Sequence, residues 1–149
     1  MNTNQLIMTE NVFGQIISTI GKQEPERGGI LGAGKDGFIS HYYFDACAQV
    51  SPDSYEPDID SVNRVLVQEW LPNGIRMVGI VHSHSNGNNV PSCGDIHYGM
   101  HILHSLDNAD QFYLPIITGS LSSPELSAFA ITRDAELGYV CKAVDWIIA

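Results

Sequence analysis

The sequence predicts an α/β (α+β) sandwich with a mixed central β-sheet flanked by helices, and three observations point to it. Apolar residues recur at helical spacing in only a few segments, short apolar runs follow one another in series between them, and turn residues separate the two kinds. Strands in series with few helices fit a mixed sheet. No internal repeat, linker or low-complexity tract interrupts the pattern. A chain of 149 residues that is 44% hydrophobic is long enough to bury roughly 70% of its unfolded surface in one core, so a single domain over residues 1–149 is expected.

The elements follow in order. Val12, Phe13, Ile16, Ile17 and Ile20 share one helical face, which predicts a helix from about Glu10 to Gly21. Gly28–Leu31 and Phe38–Phe44 read as strands around the turn Gly34-Lys35-Asp36-Gly37. Val62, Val65, Leu66 and Trp70 predict a second helix from about Ser61, a candidate cap, to Leu71. After the turn signal Pro72-Asn73-Gly74, the apolar run from Arg76 to Val81 reads as a buried strand. A polar loop over Ser85–Asn89 leads to Pro91-Ser92-Cys93-Gly94-Asp95, which opens a helix to about Ser105. Phe112–Thr118, Ser127–Thr132 and Tyr139–Ile148 complete the series as strands, the first two separated by the polar segment Gly119–Pro124.

The chemistry concentrates at the end of the Arg76–Val81 strand. His82-Ser83-His84 is followed by Ser92 and Asp95, in the spacing H-x-H-x7-S-x2-D. Side chains two apart on a strand share a face, so His82 and His84 can converge on one ion while Ser83 faces away. Asp95 needs only the intervening loop to join them. Two imidazoles and one carboxylate suit Zn²⁺, and three protein ligands leave a coordination position open, as catalytic zinc sites do. An H-x-H pair by itself is as often two ordinary polar side chains. The serine and aspartate at fitting offsets favour the metal. Ser92 suits a helix N-cap and an oxyanion donor equally well, and the two roles are compatible. Glu24 and Glu26 both offer a carboxylate for proton transfer, and their spacing alone does not choose between them.

This set of residues resembles the JAMM signature of the MPN-domain (JAB-type) metalloproteases, matching it at His82, His84, Ser92 and Asp95. The segment Pro25-Glu26-Arg27-Gly28-Gly29-Ile30-Leu31-Gly32 is similar to that family's upstream glutamate and the glycine-led strand after it. The resemblance runs over roughly residues 5 to 131. It implies His82, His84 and Asp95 as zinc ligands, Glu26 as general base and Ser92 as the stabiliser of the tetrahedral oxyanion. It further implies an MPN/JAMM (cytidine-deaminase-like) architecture. The implied activity is hydrolysis of a peptide or isopeptide bond after the C-terminal tail of a ubiquitin-like or sulfur-carrier-like protein, by a small, prokaryote-style member. Ser85 departs from the family, which often has proline directly after the second histidine, and the departure bears on the loop rather than on the ligands.

Two other function classes compete. A non-catalytic MPN scaffold typically loses ligands, whereas every motif residue is present here. A mononuclear iron oxygenase also uses two histidines and a carboxylate, but it leaves Glu26 and Ser92 without a role.

Composition narrows the partners. Seven basic against seventeen acidic residues, a formal charge of −10, disfavour nucleic acid, whose phosphates need clustered Lys and Arg. The acidic cluster Asp53, Glu56, Asp58 and Asp60 reads as a solvated loop. Met1–Gly14 lacks a basic flank and has only Leu6-Ile7-Met8 as an apolar patch, and no run approaches the ~18 residues of a membrane span. A cytoplasmic protein with no membrane partner is expected. Cys47, Cys93 and Cys141 are odd in number and widely spaced, which argues against a disulfide framework; Cys93 reads as a bystander thiol. His97, His101 and His104 recur at helical spacing and read as surface residues, with His97 close enough to Asp95 to orient it.

Overall fold

The computed structural model describes residues 5–21, 27–46, 49–51, 54–84, 88–106, 109–120, 123–136 and 138–149. In chain order the elements are β1 (Gln5–Met8), α1 (Glu10–Thr19), β2 (Gly28–Ala33), β3 (Ile39–Phe44), β4 (Gln49–Ser51), β5 (Ser54–Glu56) and α2 (Ile59–Arg64). The last of these continues as a π-helical segment, Val65–Trp70, and a 3₁₀ turn, Leu71–Asn73. Then follow β6 (Arg76–Ser83), α3 (Cys93–Ser105), β7 (Gln111–Tyr113), β8 (Ile116–Ser120), β9 (Ser123–Asp134) and β10 (Gly138–Ile148).

The pairing of these strands corrects the expected sandwich. The order β10-β1-β3-β2-β6-β7-β9 ends on a strand that pairs back onto β10, so seven strands close into a barrel, with β8 set between β6 and β9. Strands dominate and helices are few, so the architecture is a closed β-barrel and not the α/β sandwich of the MPN/JAMM kind. The physical cause lies in β9 and β10. They run 12 and 11 residues and share a ladder from Gly138↔Asp134 to Val144↔Ala128. The last four residues of β10 then lie parallel to β1. Closure leaves fewer open strand edges than an open sheet of the same length.

Side-chain alternation divides the apolar residues between two cores. One face of the strands meets α1, where Leu31, Val81 and Ile117 pack with Val12, Ile16 and Ile20. The other face supports α2, its π-helical continuation and α3, where Ile30, Ile80, Phe112 and Ile131 pack with Val62, Val65, Trp70 and Leu103. Strands β2 and β6 are therefore covered on both sides, which is why they read as continuous apolar runs. Thr9 caps α1 by accepting the Val12 N–H at 3.2 Å. The second helix starts earlier than expected. Asp58 rather than Ser61 holds the cap position, and its N–H donates to the Asp45 carboxylate at 2.8 Å. Glu56 belongs to β5, paired with β4, and Asp60 to α2, so the segment expected as a solvated loop carries regular structure; Asp53 lies outside the described residues.

Two predictions arise from the barrel wall. A Cβ at Gly29 would collide with the Tyr43 carbonyl oxygen and come within 2.7 Å of the Tyr42 ring. Because the first obstacle is backbone of the neighbouring strand, Gly29→Val should destabilise by at least about 3 kcal/mol, measured by denaturant unfolding. A variant as stable as wild type would show that β2 and β3 do not pack this closely.

Burial pushes the Tyr42 phenol well above its ordinary value of 10, against a smaller opposite effect of its hydrogen bond with Thr19, whose hydroxyl lies 2.7 Å away. The folded value exceeds the unfolded one, so this stabilisation is complete below about pH 10 and is lost as pH rises further. Tyr42→Phe should remove part of the fall in unfolding midpoint above about pH 10. Tyr98 and Tyr113, also raised by burial, retain the remainder.

Candidate metal centre

The three expected ligands meet at one end of the barrel. His82 lies near the end of β6 and His84 one residue beyond it. Both backbones are fixed: the His82 N–H donates to Pro115 O at 3.3 Å and the His84 N–H to Ile117 O at 3.0 Å. The imidazoles therefore project from a held strand rather than from a loop. Asp95 sits in the first turn of α3, so a strand end and a helix start present the three side chains to each other.

The donor atoms converge closely. His82 Nε2 and His84 Nε2 are 2.9 Å apart, and Asp95 Oδ2 lies 3.1 Å from the first and 3.3 Å from the second. A tetrahedral ion with bond lengths of about 2.0–2.1 Å places its ligand atoms roughly 3.3 Å apart, so the spacing fits a small divalent ion. Tautomer chemistry fits as well. His84 Nδ1 lies 2.7 Å from the Asn88 carbonyl and can only donate to it, which leaves the Nε2 lone pair directed at the cluster. Among the described residues, these three form the one group of His, Cys, Asp or Glu side chains that could hold a metal ion. Both histidines are buried, at 3% and 9% exposure, so little water competes for them.

Ser92 and Asp95 lock each other in a reciprocal capping box. The Ser92 Oγ accepts the Asp95 N–H at 3.0 Å, while the Ser92 N–H donates to Asp95 Oδ2 at 2.8 Å. Ser92 is thus the cap the sequence suggested, and it also aims the carboxylate. Burial pushes the Asp95 carboxyl up. The hydrogen bonds of His82 and His84, the His82 charge and the Ser92 N–H outweigh that effect and hold it well below the usual carboxylate range. We expect Ser92→Ala to cost about 1 kcal/mol of stability through the lost cap. It should leave metal affinity, measured against a competing chelator, nearly unchanged, because the Ser92 backbone N–H that holds the Asp95 carboxylate is kept in alanine. A tenfold loss of affinity would show that the hydroxyl itself positions Asp95.

Ser83, expected only to face away from the ligands, also bonds the residue that precedes β2. Its Oγ accepts the Arg27 N–H at 2.9 Å, and its own N–H donates to the Arg27 carbonyl at 2.8 Å. These bonds fix the chain directly after Glu26 against the histidine end of β6, where Gly28 also pairs with His82. Glu26 and Glu24 lie outside the described residues, as do Ser85, Asn86 and Gly87 of the loop, and Cys47. Cys93 is exposed as the first residue of α3. Burial raises the Cys141 thiol. His97 meets His101 edge-on at 5.3 Å between ring centroids, and His104 Nδ1 lies 2.9 Å from the Tyr139 hydroxyl. The contacts that orient the ligands come instead from Asn88, Ser92 and the strand backbone.

No helix among the described residues is long and apolar enough to cross a membrane. No protein-family model matches the chain, and no curated protein matches it. Among solved structures it is similar to the solution structure of protein DSY2949 from Desulfitobacterium hafniense, a structural genomics target. The two are 21% identical with a TM-score of 0.66, over 97% of this chain and 92% of that one. At that identity the likeness concerns the fold alone, and this chain shares its fold with that protein.

Proposed function

We propose that this chain is a zinc-dependent amidohydrolase that cuts a peptide or isopeptide bond after the tail of a ubiquitin-like or sulfur-carrier-like protein. The observation that carries this reading is the convergence of His82 Nε2, His84 Nε2 and Asp95 Oδ2 within 3.3 Å of one another. The motif's resemblance to the JAMM signature supports the reaction class. The barrel itself does not specify a reaction, because a site rather than a fold determines chemistry. Zinc at such a site polarises a carbonyl and lowers the pKa of bound water toward roughly 7.

The chain's own residues divide the remaining work. His82, His84 and Asp95 hold the ion, and Asn88 and Ser92 hold two of those three. The Ser92 cap uses an oxygen lone pair, so the hydroxyl hydrogen stays free to donate to a developing oxyanion. Glu26, one residue before the point clamped by Ser83, takes the role of general base, moving a proton from the attacking water to the leaving amine.

The test is metal analysis of protein purified without added metal, combined with a chelation and reconstitution assay on a panel of ubiquitin-like and sulfur-carrier proteins bearing amide-linked tails. About one zinc per chain and chelator-sensitive cleavage are expected. Iron with oxygen-dependent turnover would transfer the same three ligands to an oxygenase. Stoichiometric metal without cleavage of any tail would leave a scaffold.

A further inference from the structure

The barrel wall forks beside the metal centre. The β9–β10 ladder stops at Ala128↔Val144. Beyond that point Ser123–Ser127 pair only with β8, and Asp145–Ile148 pair only with β1, among the described residues. Two strand edges therefore diverge and face each other with their outer backbone groups unpaired by any strand. A groove of about 730 Å³ occupies the fork. Its sides include Ser127 and Phe129 on β9 and Ala143, Asp145 and Ile147 on β10, and Val90 leans over it from the loop that joins His84 to Ser92.

Three features define what fits there. Open strand edges recognise an extended backbone by adding it as a strand, with alternate side chains read by the flanking surface. Val90 and Ile147 are 48% and 43% exposed and offer apolar contacts. Asp145 is the charged residue among those lining the groove, on a chain of net charge −10, so a cationic side chain is favoured opposite it.

Register places the fork relative to the metal. His82 pairs with Ile116, which pairs with Ser127. Ser127 is therefore two strand steps from His82, about 10 Å, and a strand added outside it lies about 14 Å away. An extended chain covers that distance in about four or five residues.

We propose that the fork between β9 and β10 binds an extended, basic polypeptide segment as an added strand. It thereby holds a substrate about four or five residues from the bond cut at the metal centre. The second clause rests on the amidohydrolase reading, and strand addition does not. Pro124, which has no N–H, confines pairing on β9 to the residues after it.

The test uses fluorescein-labelled ten-residue peptides of alternating valine and lysine, the same with glutamate for lysine, and the first with a central proline pair. Fluorescence anisotropy should show the lysine peptide binding at least about tenfold more tightly than the other two. Asp145→Lys should reverse the preference between lysine and glutamate. Hydrogen exchange should slow on binding at alternate amides of Glu125–Ser127 and Trp146–Ile148, and not at the amides of α1 itself. Equal binding of all three peptides, or exchange protection elsewhere, overturns the proposal. The double variant His82→Ala, His84→Ala should bind the lysine peptide as wild type does, and loss of binding there would place the peptide at the metal centre and overturn the fork. A concentration-dependent dimer in sedimentation that the peptide does not dissociate would assign the fork to a second copy, which also overturns it. Tight, Asp145-dependent binding without cleavage of any amide sinks the hydrolase reading and leaves strand addition standing.

Discussion

Alanine at His82, His84 or Asp95 is expected to reduce bound metal from about one ion per chain to near zero and turnover to background. Each side chain contributes one of three donors that all lie within 3.3 Å of each other, so removing any one leaves a two-ligand site with no means of fixing geometry. The three variants should fail alike in metal content, because no neighbouring His, Cys, Asp or Glu among the described residues joins the group as a substitute. They should differ in stability. Asp95→Ala also removes the acceptor for the Ser92 N–H and should melt earlier, by a loss of about 1 kcal/mol. Asp95→Asn keeps the shape while removing the charge, which separates the two effects. Stoichiometric zinc in a triple alanine variant, measured by elemental analysis, would move the metal elsewhere.

Glu26→Gln is expected to retain the metal and lose about 10²- to 10⁴-fold in turnover, the usual value of a positioned general base. The amide preserves size and hydrogen-bonding capacity but does not accept the proton. Glu24→Gln is the control and should cost far less, although the two carboxylates stand only two residues apart. The choice of Glu26 over Glu24 rests on the resemblance, and the structure adds that paired bonds of Ser83 to Arg27 fix the chain at the residue adjoining Glu26. Ser83→Ala should therefore reduce turnover in the same direction and by less. Equal losses from the Glu24 and Glu26 changes, with full metal content, would remove the base from this segment.

The candidate centre was more legible than the fold around it. The two histidines could be assigned to one face because strand period is a local property. Asp95 and Ser92 could be read because helix starts have a local chemistry of caps. Ser83 could not be fully read, since its partner is 56 residues away and nothing in the H-S-H triplet names it. Helix α1 and strands β2, β3 and β6 were legible from apolar spacing. β1 was not: four residues, Gln5-Leu6-Ile7-Met8, look like a patch until β10 and β3 are placed on either side. The strand expected from Ser127 falls short of β9 because Gly119–Pro124 reads as a polar connecting segment, whereas β9 begins at Ser123 and includes Pro124, a residue usually kept out of strand interiors. The proline is tolerated where β9 has β8 on one side and the fork on the other. The unrecognised β1 hid the closure, since without it the last residues of β10 have no partner and nothing joins the ends of the sheet.

Closure also determines when this chain can become a folded molecule. The β1–β10 ladder joins Gln5 to Asp145 and Met8 to Ile148, a separation of 140 residues (145 − 5), among the most distant pairings a chain of 149 residues can make. Such contacts incur the full loop-closure entropy before they return any stabilisation, which slows folding. During synthesis the first strand must wait, its apolar Leu6 and Met8 unsheltered by β10, until Asp145–Ile148 have emerged. A ribosome-bound chain lacking the last strand thus presents an unclosed sheet with exposed edges, and chaperone demand and aggregation should concentrate in that interval.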